Sequence, residues 1–283
     1  MAAFAEGTPC WADVLLPDVR AGKRFYGGLF DWSFEEADGL GALGPDGADR
    51  VRDGVDRVGS GEAAPYATAY RDGRRVAALA PKRDGRMPTT WNVYFATPDA
   101  PAAARRVTEA GGLVITDPVP LAGGLAVIAQ AADPGGAVFG LWEAGGQSGF
   151  ERQGEPGSFC WTEVYTRDKD SVDAFYETVF GFQVHDLDDA TVDFRVWSPA
   201  GTRASDENAV GGRSVITDAF PAAMPAHFLV YFSVADCDET AARTTELGGR
   251  INEPPFDTPY GRIALLADDQ GAVFAVLAEP KAA

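Results

Sequence analysis

The sequence predicts an α+β protein built from two tandem copies of one domain, each copy made of two β-α-β-β-β units, and three observations carry that prediction. The opening of the chain is written twice: Cys10-Trp11-Ala12-Asp13-Val14 returns as Cys160-Trp161-Thr162-Glu163-Val164. In each writing an Asp (Asp18, Asp168) follows the Trp by seven residues, and a Phe-Tyr pair (Phe25-Tyr26, Phe175-Tyr176) begins seven residues later. Inside each copy a fainter repeat places strand, Asp and helix once near the start and again near the middle. A repeat this long and regular means a duplicated domain.

The elements follow in order. The stretch from Trp11 to Leu16 has the mixed apolar pattern of a half-buried strand, and Asp18 is placed to cap the helix after it. Val19, Phe25, Tyr26, Leu29 and Phe30 then share one helical face. Residues 39–64, rich in Gly, Asp and Arg without apolar periodicity, read as a mobile insertion or a lid with no counterpart in the second copy. Arg71-Asp72-Gly73 is a hairpin signal. Asn92-Val93-Tyr94-Phe95 begins the second unit, and Asp99 precedes an Ala-rich helix ending at Gly111.

The second copy repeats this plan. Asp168 caps a helix with Val172, Phe175, Tyr176, Val179 and Phe180 on one face and Gly181 at its end. Leu229-Val230-Tyr231-Phe232 answers Asn92 to Phe95, and Asp236 with Glu239 forms a capping-box pattern before a helix ending at Gly248. Ala137-Val138-Phe139 is matched by Ala272-Val273-Phe274. The spacing predicts domains over 6–145 and 157–280, joined by a flexible Gly-, Glu- and Gln-rich linker at 146–156.

Composition narrows the function classes. A formal charge of -18 repels nucleic-acid phosphates and anionic lipid surfaces, so neither is an expected partner. No apolar run reaches the roughly 20 residues of a membrane helix and no signal-peptide pattern opens the chain, which predicts a cytoplasmic protein. Cys10, Cys160 and Cys237 make no disulfide framework or CxxC pair and read as small buried side chains.

With these elements in place, the chain resembles the vicinal oxygen chelate superfamily of glyoxalase I, extradiol dioxygenases and bleomycin-resistance proteins, over nearly its whole length. The resemblance rests on the strand-Asp-helix openings and on the closing segments Asp133-Pro134-Gly135-Gly136-Ala137-Val138-Phe139 and Asp268-Asp269-Gln270-Gly271-Ala272-Val273-Phe274. The paired Cys-Trp openings and the Pro255 to Arg262 loop resemble, more narrowly, tandem-domain actinobacterial glyoxalase-like proteins. It implies two glyoxalase-like domains, each an eight-stranded cup with helices outside, that in many relatives surrounds a metal. It also implies the ligand positions: Trp11 and Asn92 with Gly140 in the first copy, Trp161 and Leu229 with Ala275 in the second. Trp, Leu, Gly and Ala do not coordinate divalent ions, and Asn alone is a weak ligand, so no metal and no other cofactor is expected.

Strand alternation then selects the cup linings. Cup one is expected to show Trp11, Asp13, Asn92 and Tyr94; cup two, Trp161, Glu163, Tyr165 and Tyr231. Aromatic walls with polar tips suit an aromatic small molecule; the alternative expectation is that the same rings fill the cup by packing together. Asp13 and Glu163 are the candidate general acid/base residues, because a carboxylate in an apolar cup needs either a donor or a raised pKa. Arg262 is a candidate for an anionic group of the ligand or for a carboxylate partner. His185, amid acidic residues, and His227, immediately before a strand, are read as solvated or locally hydrogen-bonded. Three functions remain open: a metal-free binder of an aromatic metabolite or antibiotic, a metal-independent isomerase, lyase or hydroxylase, and an interaction protein with filled cups. A monomer with internal pseudo-two-fold symmetry is expected, since two fused copies can satisfy within one chain the contact that single-copy relatives make by dimerising.

Overall fold

The computed structural model describes residues 4–37, 66–82, 84–187 and 192–280. The insertion expected at 39–64 lies outside the described residues.

Among the described residues each copy is one eight-stranded mixed sheet carrying two α-helices. The first copy runs β1 (Pro9–Leu16), α1 (Val19–Phe30), β2 (Ser33–Ala37), β3 (Tyr66–Arg71), β4 (Arg74–Pro81), β5 (Thr90–Thr97), α2 (Ala100–Glu109), β6 (Leu113–Pro120), β7 (Ala126–Ala132) and β8 (Val138–Ala144). The second runs β9 (Ser158–Thr166), α3 (Lys169–Phe180), β10 (Gln183–Asp186), β11 (Phe194–Ser198), β12 (Gly211–Val215), β13 (His227–Ser233), α4 (Cys237–Glu246), β14 (Arg250–Thr258), β15 (Gly261–Ala267) and β16 (Val273–Ala278). The strand orders, β2-β3-β4-β1-β5-β8-β7-β6 and β10-β11-β12-β9-β13-β16-β15-β14, are the same permutation. In every unit the last strand returns parallel to the first, as β4 does to β1 and β12 to β9, so four β-α-β-β-β units build the α+β fold.

Local chemistry sets the element ends. Asp18, Asp99 and Asp168 accept the backbone N–H three residues on, at 3.0, 2.7 and 3.3 Å, and Asp236 accepts from Asp238 and Glu239. Each cap satisfies a first-turn N–H that the helix leaves orphaned. Asp72 and Gly73 both have positive φ, 50° and 70°, the type I′ geometry that joins β3 to β4. Among the described residues no helix is long and apolar enough to cross a membrane.

The chain divides into two compact units, and neither coincides with a copy. One gathers Met1–Trp11, Asn92–Gly149 and Trp161–Leu229; the other gathers Ala12–Trp91, Phe150–Cys160 and Val230–Ala283. In the first unit, α3 of copy two sets Phe175, Tyr176 and Phe180 against Phe95 and Phe139 of copy one, with ring centroids 5.2–6.5 Å apart. In the second, α1 of copy one sets Phe25, Tyr26 and Phe30 against Phe232 and Phe274 of copy two, at 5.1–6.5 Å.

Each unit also buries one Tyr-Asp hydrogen bond that joins the copies. Tyr176 Oη donates to Asp133 Oδ2 at 3.1 Å in the first unit, and Tyr26 Oη donates to Asp268 Oδ2 at 2.9 Å in the second. The other carboxylate oxygen accepts the N–H of Ala137 or Ala272, closing the turn before the last strand. The Tyr of each Phe-Tyr pair and the Asp that leads each closing segment thus meet in one interaction between the copies. Burial pushes both carboxyls above the usual range, partly offset by these donors, and pushes both phenols well up.

The segment expected to be a flexible linker is strapped down instead. Gly145 and Gln147 both donate to Leu125 O and Gly146 donates to Gly124 O, while Phe150 is buried and stacked on Phe159 at 4.9 Å. A Cβ on Gly149 (φ 119°) would stand 2.2 Å from Cys10 O, and one on Gly145 would stand 2.3 Å from Gly124 O. Glycine here permits close backbone approach, a use that composition does not separate from flexibility.

Candidate functional site

Phe228 identifies which way β13 faces in the first unit. Its ring lies 6.1 Å from Tyr176 of α3, so Phe228 points to the helix side. His227, one residue before it, points to the opposite face. There the His227 imidazole stacks on Tyr165 of β9, with centroids 5.2 Å apart and planes inclined by 8°. Tyr165 Oη donates to Glu163 Oε1 at 2.8 Å, and Phe220 meets the Tyr165 ring edge-on at 6.0 Å. Trp161 shares the face by alternation along β9.

Glu163 is 6 % exposed, whereas Trp161, Tyr165, His227 and Phe220 are all half-buried. The result is an accessible aromatic wall over a buried carboxylate. His227 Nδ1 lies 2.9 Å from Pro225 O, which accepts only, so that nitrogen carries the proton. His227 is thus locally hydrogen-bonded, as is His185, whose Nε2 lies 2.8 Å from Asp206.

The corresponding face of copy one is packed. Trp11, Tyr94 and Trp142 are 1, 0 and 4 % exposed. Trp142 lies 5.8 Å from Trp11 and 5.9 Å from Tyr94, ring centroid to ring centroid. Tyr94 pairs with Gly140 across β5 and β8, and a Cβ on Gly140 would stand 2.0 Å from Tyr94 Cδ1. The missing side chain is therefore space that the Tyr94 ring occupies. In copy two the residues equivalent to Gly140 and Trp142 are Ala275 and Leu277, so the third aromatic is lost.

The remaining sequence candidates fall as follows. Asp13, fully buried, lies on β1 opposite Ala78 of β4, and Asn92, also buried, lies on β5. Tyr231, 7 % exposed, pairs with Ala275. Arg262 sits on β15 between two carboxylates, with Asp238 of α4 at 2.7 and 3.0 Å and Asp257 at 2.9 Å. Asp238 belongs to α4, so Arg262 sits in an ion-pair cluster between that helix and β14. Burial, with Glu279 nearby, pushes the Cys160 thiol up to about 12, which leaves it a poor nucleophile at neutral pH.

The residues present do not fit the divalent metal that the resemblance implies. Of the six ligand positions only Asn92 offers a donor atom, and the space at Gly140 holds a phenol ring. Among the described residues no group of three His, Cys, Asp or Glu is arranged to hold a metal ion. Trp142, His227 and Phe220 were not among the residues assigned to the site from sequence. Counting alternation from Gly140 to Trp142, and from Leu229 back to His227, marks two of them. Phe220 lies in a connecting segment and has no such signal.

Comparison with known proteins gives a consistent picture. The model of the Glyoxalase/Bleomycin resistance protein/Dioxygenase superfamily matches residues 158–276. The anthracycline biosynthesis protein DauV of Streptomyces sp. (strain C5) is 38% identical, over 98% of this chain and 95% of its own. The putative glyoxylase CFP32 of Mycobacterium tuberculosis (strain CDC 1551 / Oshkosh) is 34% identical, over 97% and 95%. Among solved structures, the Mn(II)-bound glyoxalase from Novosphingobium aromaticivorans superposes with a TM-score of 0.62 at 16% identity, covering 97% of this chain and 83% of that one, a likeness of fold.

Proposed function

Because the chain belongs to the Glyoxalase/Bleomycin resistance protein/Dioxygenase superfamily, we propose that it binds a small aromatic molecule, without a divalent metal, on the Trp161, Glu163 and Tyr165 face of its second copy. The observation that carries this reading is the contrast between equivalent faces: three buried, mutually packed rings in copy one against half-buried Trp161, Tyr165, Phe220 and His227 in copy two. Aromatic rings left open beside a buried carboxylate are what a flat ligand with a polar edge would cover. Two relatives, DauV and DnrV, are named for anthracycline biosynthesis, in keeping with an aromatic ligand. The free thiols of Cys10, Cys160 and Cys237 suit a reducing cytoplasm. Because each compact unit already joins halves of both copies, the protein is proposed to act as a monomer.

Glu163 supports a second reading, a metal-independent enzyme. A buried carboxylate with a phenol donor at 2.8 Å has the surroundings of a general acid or base. Glu163→Gln separates the two: a binder keeps its affinity for a neutral ligand, and an enzyme loses turnover with affinity retained. The same holds for Asp13→Asn if chemistry occurs in copy one.

The test of the main reading is a binding titration with a planar aromatic probe. Trp161→Ala is expected to weaken binding by about tenfold or more, the loss of one stacking face at about 1–2 kcal/mol. Trp142→Ala is expected to lower stability by about 3–5 kcal/mol and leave the dissociation constant of the folded protein unchanged. The opposite pattern would move the site to copy one. Stoichiometric metal in the purified protein, with thermal stabilisation by that ion, would overturn the metal-free part.

A further inference from the structure

We infer that His227 selects the ligand of the second copy by accepting a hydrogen bond at Nε2, so that the ligand is a planar aromatic carrying a hydroxyl donor on its edge. The inference rests on the aromatic-ligand reading above and adds to it the chemistry of one atom. Three observations carry it.

First, the tautomer is set. Nδ1 lies 2.9 Å from the Pro225 carbonyl, a group with lone pairs and no proton, so Nδ1 is the N–H and Nε2 of the neutral ring is the acceptor. Among the described residues nothing donates to Nε2. Second, the ring is held parallel to the Tyr165 ring. It stacks on Tyr165 within 8° of parallel, and the Tyr165 phenol is itself tied to Glu163. An aromatic ligand lying along this wall meets Nε2 at its edge, where a phenolic hydroxyl projects.

Third, the segment presenting the ring is anchored. Ile216 N donates to Thr166 O, Arg167 Nη2 donates to Pro221 O, and Met224 N donates to the same carbonyl, at 2.8, 2.9 and 2.9 Å. A fixed acceptor beside a fixed stacking face is the arrangement that discriminates a hydroxyl from its ether, because a bound ether covers the acceptor without donating to it. The equivalent residue of copy one is Thr90, and the counterpart of Tyr165 is Leu15. No such pair exists there.

The experiment compares 2-naphthol with 2-methoxynaphthalene, two uncharged probes that share a ring system and differ in the donor, by ligand-observed NMR titration of the full chain. The wild type is expected to bind the naphthol about five- to tenfold more tightly, the worth of one hydrogen bond. His227→Phe keeps a stacking ring and removes the acceptor. It should bring the two affinities together by weakening naphthol alone, and His227→Gln, which restores an acceptor, should recover part of the preference. A wild type that binds both probes equally, with binding lost in Trp161→Ala, overturns the inference and leaves the aromatic-ligand reading standing. Persistence of the preference in His227→Phe overturns it as well. Failure of the wild type to bind either probe overturns both.

Discussion

At Gly140 the absence of a side chain is matched by the packing of Tyr94. The resemblance makes position 140 a metal-ligand position, and the strand register brings it opposite Tyr94, whose ring takes the space a Cβ would need. Gly140→Ala is therefore expected to cost about 1–3 kcal/mol by overpacking, measured by urea denaturation, with no gain in metal affinity. A neutral result would mean that the Tyr94 ring has room to move. The buried Tyr176-Asp133 pair makes a prediction with a sign. Burial raises the Asp133 pKa in the folded protein, so its ionisation opposes folding and stability falls as pH rises through that folded value. The Tyr176 hydroxyl lowers this cost by donating to the carboxylate. Tyr176→Phe removes the donor, and its destabilisation, about 1–3 kcal/mol, should be larger at pH 7.5 than at pH 4.5 in matched urea titrations. A deficit that shrinks with rising pH would contradict this account.

At the scale of elements, local sequence signals were reliable wherever the determining chemistry is local. The four Asp caps each accept from the first turn of the helix they precede, and the Asp72-Gly73 turn has the backbone its residues favour. These depend on groups within three residues of one another. The strap between the copies is the counterexample. Its Gly content suggested slack, and the structure uses Gly145 and Gly149 to press backbone against Gly124 and Cys10. Those partners are remote in sequence, so composition alone does not reveal them. Gly149→Ala, with φ 119° and a Cβ that would stand 2.2 Å from Cys10 O, is expected to lower the melting temperature by several degrees. Gly154→Ala, at a site with open space around it, should cost only its φ strain, about 1 kcal/mol. Equal effects would show that the close approach is unimportant.

Across the whole molecule, the compact units draw on both copies, and that makes neither copy self-sufficient. Phe95 and Phe139 of copy one are covered by Phe175, Tyr176 and Phe180 of copy two, and Phe232 and Phe274 of copy two by Phe25, Tyr26 and Phe30 of copy one. Residues 6–145 expressed alone would expose a large apolar face, which soluble monomers rarely carry. The expected outcome is self-association or insolubility, with recovery of a one-to-one complex on coexpression with residues 157–280, read by light scattering on a sizing column. A stable, monomeric 6–145 fragment would contradict it.

The sequence by itself determined the duplication, the four β-α-β-β-β units, the helix caps and the α+β class, because repetition, periodicity and capping are written in residues close together along the chain. Strand alternation, which is local too, also put Trp161, Glu163 and Tyr165 on one face of β9. The tertiary structure decided which face is open. It packed Trp142 between Trp11 and Tyr94 in copy one, and it brought His227 across from another strand onto Tyr165 in copy two. It also paired each Tyr with an Asp of the other copy. Those contacts join residues dozens to hundreds of positions apart, and packing chooses among them only when the whole chain has folded.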